Sequence, residues 1–165
     1  MTMCEIPPIR MLVLTLTGRC NFKCLYCYAS EQDPVDMTEE TAIAAVALAH
    51  VSKNQFLLQF SGGEPLLQFP LIRKVVDFVE KNHVNAQMQI QTNGALLTKD
   101  IGKWLFDHNV GIGISCDGRP ELMNRLRVSK DGDRSSQKVI QAFQNLGEVN
   151  IEAGITCVVT DDTVE

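Results

Sequence analysis

The sequence predicts an α/β fold in which parallel strands are joined by outer helices, and three observations predict it. Short apolar runs recur along the chain, amphipathic helical periods lie between them, and the connections are short. Met11–Thr15 is the first apolar run, with a β-branched end. Thr38 then caps a helix with Glu39 and Glu40 in its first turn and Ile43, Val46, Ala47 and Val51 on one stripe. Gln55–Phe60 is the second strand. Pro70 suits a first helical position, followed by Ile72, Val75, Val76 and Val79. Gln87–Thr92 alternates, with Met88 and Ile90 set against Gln89 and Gln91. Thr98 opens a third helix carrying Ile101, Trp104, Leu105 and His108. Gly111–Ser115 is the fourth strand; Val139, Phe143 and Leu146 mark a helix ending at Gly147, and Ile151–Val159 is the last strand. The order β-α-β-α-β-α-β-α-β suits an open sheet or a barrel. In both, ligands bind at the C-terminal ends of the strands.

Composition narrows the function class. At 165 residues the chain suits one domain with a real core. Apolar content of 45% and charged content of 21% are ordinary for a soluble globular protein. A net charge of −5 gives no general attraction to nucleic acid or to an anionic membrane. No apolar run approaches the roughly 20 residues needed to span a bilayer, and the N-terminus lacks the pattern of a secretory signal. A cytoplasmic, reducing location is expected, where clustered cysteines read as metal ligands rather than disulfides.

The residues from Thr17 to Tyr28 read T-G-R-C-N-F-K-C-L-Y-C-Y, placing Cys20, Cys24 and Cys27 at C-x3-C-x2-C spacing just after the first strand. Soft thiolates select zinc, copper(I) or iron–sulfur clusters. Structural zinc wants four ligands, and no further Cys or His lies between Tyr28 and Glu40. Three thiols can hold three irons of a cubane and leave the fourth open, whereas most cubanes take four cysteines. Zinc, or three incidental cysteines, are the competing readings of this spacing.

Three further motifs end strands: Ser61-Gly62-Gly63-Glu64-Pro65, Gln91-Thr92-Asn93-Gly94 and Gly113-Ile114-Ser115-Cys116-Asp117-Gly118. Each is also an ordinary turn: glycines admit close backbone approach, and Asn-Gly tolerates positive φ. Together with the cysteines, Tyr26 before the last of them and Asn21 after the first, they resemble the radical S-adenosylmethionine (SAM) superfamily in the correct order from Leu12 to Thr160. The closest likeness is to the peptide- and protein-modifying sulfatase-maturase (SPASM) type.

That resemblance implies a partial (βα)6 TIM-like barrel, truncated after about the fifth strand, with residues 1–165 as the N-terminal portion of the core. It implies a [4Fe–4S] cluster on Cys20, Cys24 and Cys27 that chelates SAM, cleaves it reductively and so makes a 5′-deoxyadenosyl radical that abstracts a substrate hydrogen. Tyr26, Gly62, Gly63, Glu64, Asn93, Ser115 and Arg127 would line SAM, with Glu64 meeting its amino group and Arg127 pairing its carboxylate. The implied partners are a peptide or protein substrate and an electron donor such as flavodoxin or ferredoxin. Such relatives add a cysteine-rich C-terminal domain with auxiliary clusters.

The chain also departs from the sulfatase-maturing pattern. Asp117-Gly118 is followed by Arg119-Pro120, and Met123-Asn124 occupies the places of a His-Asp pair. A radical SAM enzyme of another class, in cofactor biosynthesis or enzyme activation, is therefore the alternative, and a non-enzymatic metal-binding module the third. Arg119–Arg134 reads as a basic loop at the mouth of the site. Cys116 and Cys157 read as small buried hydrophobes, Cys4 as part of a mobile terminus, Trp104 and the methionines as core, and the three histidines as surface or packing residues. The last strand would leave an uncovered edge, so the chain is expected to self-associate.

Overall fold

The computed structural model describes residues 8–31 and 33–161; Cys4 lies outside the described residues. In chain order the elements are β1 (Met11–Thr15), β2 (Phe22–Cys24), α1 (Glu39–His50), β3 (Phe56–Ser61), a 3₁₀ turn (Pro65–Gln68), α2 (Phe69–Lys81), β4 (Ala86–Thr92), α3 (Lys99–Asp107), β5 (Val110–Ser115), α4 (Pro120–Leu126), β6 (Arg127–Ser129), α5 (Ser135–Gly147) and β7 (Gly154–Thr156). Five parallel strands form one sheet in the order β1-β3-β4-β5-β7, and β2 pairs with β6 in a separate antiparallel ribbon.

The helix caps follow their chemistry. Thr38 Oγ1 accepts the Thr41 N–H at 3.2 Å, and Thr98 Oγ1 accepts the Ile101 N–H at 3.2 Å. Pro70 takes the second position of α2, which starts at Phe69; its missing N–H is harmless in a first turn. The buried stripe of α1 is Ala42, Val46 and Ala49, with Val51 exposed beyond the helix end. The stripe is rotated from the expected one because small side chains, rather than branched ones, take the contact.

The sheet has two unlike faces. Phe56, Leu58, Phe60, Met88, Ile90, Val110, Ile112 and Ile114 point to the helices and are buried with Ile72, Val75 and Val79 of α2. Burying each such side chain contributes about 1.5–3 kcal/mol. The other face carries Gln59, Ser61, Gln89, Gln91, Gly111, Gly113, Ser115 and Thr156. Gln89 Nε2 donates to Gln59 Oε1 at 2.6 Å, and Thr156 Oγ1 donates to Gln91 Oε1 at 2.9 Å. A Cβ at Gly113 would lie 2.6 Å from Gln91 Oε1, the movable end of that side chain. These neutral amides and glycines line a cavity of about 510 Å³.

Several expectations are corrected. The last strand is only Gly154–Thr156, and Cys157 beyond it is exposed, because the segment leaves the sheet before Cys157. Met88 and Met123 are core, but Met11 is 49% exposed on the open face, and Trp104 is half-buried, packed edge-on against Phe69 and under Arg73. Most of Arg119–Arg134 is not a loop: Pro120–Ser129 forms α4 and β6, because Leu126 and Met123 bury an apolar face, and only residues 130–134 form a turn before α5.

All three residues of β7 are exposed at one edge of the sheet, with Ile155 at 63%. Unpaired edges recruit other chains. The chain is therefore expected to self-associate, which light scattering checks; a monodisperse monomer at tens of micromolar would show the edge to be protected.

Candidate active site

The segment between β1 and α1 is a closed loop whose two ends are tied together. Thr17, fully buried, donates through Oγ1 to Asp36 Oδ1 at 2.6 Å and accepts the Arg19 N–H at 3.0 Å. Arg19 grips the same carboxylate through Nε at 3.0 Å and Nη2 at 2.5 Å. Hydrogen bonding from Thr17, then the Arg19 contact, hold Asp36 below the usual carboxylate range. Gly18 passes so close to the returning strand that a Cβ would sit 1.9 Å from the Asp33 carbonyl oxygen.

A second segment, the turn after β3, supports the loop from below. Gly62 adopts φ 146°, which suits glycine. The Gly63 N–H donates to the Thr17 carbonyl at 2.8 Å and the Glu64 N–H to the Arg19 carbonyl at 2.9 Å. Glu64 itself is fully buried: Oε1 accepts Thr92 Oγ1 at 2.7 Å and the Leu66 N–H at 3.0 Å, and Oε2 accepts the Asn93 N–H at 2.8 Å. Burial pushes its pKa up against those three donors. Glu64 therefore joins the ends of β3 and β4 from behind the wall, its side chain buried among three protein donors and not among the groups lining the cavity.

Asn93 reaches forward from the end of β4. Its Nδ2 donates to Asn21 Oδ1 at 2.7 Å and approaches Cys20 Sγ at 3.7 Å, while its Oδ1 accepts the Ala95 N–H. Cys20 Sγ also accepts the Phe22 N–H at 3.3 Å. On the opposite side, β2 pairs with β6 so that Cys24 faces Arg127 across the ribbon. Arg127 is buried and grips Asp117 through Nε at 2.7 Å and Nη2 at 2.9 Å; Tyr26 donates its hydroxyl to Asp117 and stacks 5.5 Å from the guanidinium. Burial pushes the Cys24 thiol up to about 11, against the lowering charge of Arg127, and burial also raises Cys20 and Tyr26.

These walls enclose a cavity of about 370 Å³. Cys20, Cys24, Cys27, Tyr26, Gly62, Gly63, Asn93, Ser115 and Arg127 all line it; of the residues expected to hold the cluster or SAM, Glu64 alone does not. Gln91 and Thr156 line both this cavity and the larger one on the amide face, so the two adjoin. Thr17, Asp36, Thr92 and Asp117 carry roles that residue spacing does not show. Thr17, Thr92 and Asp117 lie inside the motifs, whereas Asp36 has no local signal because its partner is 19 residues away.

The donor set fits an iron–sulfur cluster. Three soft thiols lining one cavity, with N–H groups directed at Cys20 and a cation beside Cys24, suit a cubane whose irons are ligated separately.

Comparison with known proteins agrees with this geometry. The chain is 39% identical over 155 residues to an uncharacterised protein of Methanocaldococcus jannaschii, covering 93% of this chain and 54% of that one. It is 29% identical over 170 residues to a cysteine-type anaerobic sulfatase-maturating enzyme of Clostridium perfringens, covering 96% of this chain and 46% of the enzyme. The chain thus spans about half the length of the curated relatives it matches. The structure of anSMEcpe with bound AdoMet superposes with a TM-score of 0.85 at 28% identity, over 95% of this chain and 45% of that one. The five-stranded parallel sheet with its helices corresponds to part of a radical SAM barrel. Membership of that superfamily implies a [4Fe–4S] cluster and SAM as cofactors, and the Radical SAM superfamily model matches residues 14–165. This chain belongs to the radical SAM superfamily.

Proposed function

We propose that this chain is the cofactor-binding part of an enzyme that cleaves SAM reductively and uses the resulting radical on a peptide or protein substrate. One observation carries the reading: three cysteines of a single loop and the ends of β3, β4 and β5 face one cavity. Cys20, Cys24 and Cys27 would hold the cluster, which when bound supplies the electron that splits SAM into methionine and a 5′-deoxyadenosyl radical. The remaining steps belong to the protein. The Gly62-Gly63 turn offers a side-chain-free wall to the ligand's backbone-like amino acid end. Arg127 lines the cavity while two of its N–H groups hold Asp117, and the rest of its fork suits a carboxylate. Tyr26 and Ser115 flank the same space.

The neutral amide face adjoining the cavity supports a substrate that presents uncharged hydrogen-bonding groups, as a peptide does. Relatives support this class: anSMEcpe has been solved with AdoMet and the Cp18Cys peptide, and the cyclopropyl synthase TigE of Paramaledivibacter caminithermalis is 28% identical over 176 residues. A one-electron donor such as flavodoxin or ferredoxin would complete the system. Among the described residues no helix is long and apolar enough to cross a membrane, and a cytoplasmic setting suits an oxygen-sensitive cluster.

A second reading, radical chemistry outside sulfatase maturation, rests on Met123 and Asn124. Met123 is buried with its Sδ 3.8 Å from Cys116 Sγ, and Asn124 Oδ1 accepts the Ser136 N–H at 3.0 Å at the start of α5. Positions where the maturase pattern carries His-Asp serve packing and capping here.

The test is anaerobic reconstitution followed by dithionite and SAM. 5′-Deoxyadenosine and methionine are expected in equal amounts; neither product from a fully loaded protein would overturn the reading. Arg127→Ala should weaken SAM binding about tenfold to a hundredfold, as expected for a lost charge-assisted bond of roughly 1.5–3 kcal/mol. Arg134, exposed and lining a different groove, is the control; equal effects of the two substitutions would reject Arg127 as a specific ligand.

A further inference from the structure

Asp117 lies at the end of β5, outside the set of groups lining the cavity, yet it is the most heavily engaged carboxylate near it. Its side chain is 0% exposed and that of Arg127 is 6% exposed. Oδ2 accepts Arg127 Nε and the Tyr26 hydroxyl; Oδ1 accepts Arg127 Nη2 and the Val158 N–H at 3.1 Å. Three other chain segments meet on this one group. Tyr26 sits between Cys24 and Cys27 in the cysteine loop, Arg127 begins β6, and Val158 follows β7 and lines the cavity.

The two contacts on Arg127 are parallel and fix the plane of its guanidinium, as a bidentate pair does. The backbone of Arg127 is fixed as well, since it faces Cys24 in the β2–β6 ribbon and the Leu25 N–H donates to the Leu126 carbonyl at 2.8 Å. Arg127 is thus held at both ends and lines the cavity, while Nε and Nη2 are occupied by Asp117. Without Asp117, a buried guanidinium would have no counter-charge and the Tyr26 hydroxyl no acceptor, so both would turn.

We propose that Asp117 is a positioning residue for SAM: it locks Tyr26 and Arg127 into one rigid unit that presents the Arg127 edge to the ligand's carboxylate. This goes beyond the reading of Arg127 as a carboxylate ligand and rests on it. Asp117 is not among the groups lining the cavity; it acts through Tyr26 and Arg127, which are.

The test uses the reconstituted chain as the native protein, Asp117→Asn, Arg127→Ala, the double variant and Tyr26→Phe. Asp117→Asn keeps the side chain's shape but sets an amide N–H₂ or a weaker acceptor against Arg127. It is expected to retain the native circular dichroism and iron content while its SAM dissociation constant rises about tenfold to a hundredfold. The change that SAM causes in the electron paramagnetic resonance spectrum of the reduced cluster should be lost at concentrations that saturate the native protein. The double variant should bind no worse than Arg127→Ala alone, because the two residues act as a unit. Asp117→Asn binding SAM within about twofold of native, or losses that multiply in the double variant, would overturn the proposal. If Asp117→Asn fails to fold, Tyr26→Phe decides, since it removes one hydrogen bond and keeps the ion pair. A rise of about twofold to tenfold is expected from it, and unchanged affinity would count against the unit. Native protein that holds its irons but binds no SAM would sink the SAM reading itself; native binding with an unaffected Asp117→Asn would sink only this inference.

Discussion

Replacing any one of Cys20, Cys24 and Cys27 by Ala is expected to take the reconstituted chain from about four irons and four sulfides to almost none. A cubane held by three thiols has no spare protein ligand, so the loss of one leaves two irons exposed and the cluster falls apart. All three thiols line one cavity, and Cys20 and Cys24 are further tied by N–H contacts and by the β2–β6 ribbon. Cys116 is the internal control. Its Sγ lies 3.8 Å from Met123 Sδ and it is not among the groups lining the cavity, so Cys116→Ala should keep its full iron content. Iron and sulfide analysis checks both, and a full cluster in the triple cysteine variant would remove the assignment.

Gly63→Ala is expected to have the second largest effect, on cluster loading and stability together. A Cβ at Gly63 would lie 2.3 Å from the Arg19 carbonyl oxygen, 2.6 Å from its carbon and 3.1 Å from Cys20 Cβ. Two of these are backbone atoms of the cysteine loop, held by the Thr17–Asp36–Arg19 tie, and they have no flexible end to turn aside. Overpacking of this kind costs about 1–3 kcal/mol, and the displacement falls directly on Cys20. Gly147→Ala is the comparison: nothing lies within 4 Å of its added Cβ, so it should be neutral or slightly stabilising. Thermal unfolding and iron content measure both variants. Native values for Gly63→Ala would mean that the loop yields and that the two glycines are not a fitted wall.

Much of this could be read along the chain because the determinants are local. Strand runs and helix periods depend on spacing, caps such as Thr38 and Thr98 act on residues three positions away, and C-x3-C-x2-C is a spacing by definition. The segment Arg119–Arg134 was misread for the opposite reason. Its charges suggest a solvated loop, but Arg127 is buried because its counter-charge, Asp117, is supplied from the end of another strand. The short last strand and the exposed Cys157 depend likewise on where β5 offers a partner, which ends at Thr156.

The sequence by itself determined the α/β class, the order of the five sheet strands with the helices between them, and the family. Only the tertiary structure decided how those strand ends are held together. Glu64 is a buried tie between β3 and β4 because three donors from residues 66, 92 and 93 converge on it. Asp36 latches the cysteine loop from the far side of that loop, and Asp117 gathers Tyr26, Arg127 and Val158 from three segments. A carboxylate looks the same in sequence whether it faces solvent, a ligand or three protein donors. Its role is set by which partners the fold brings within about 3 Å of it, since hydrogen bonds are short-ranged and a buried charge must be satisfied where it stands.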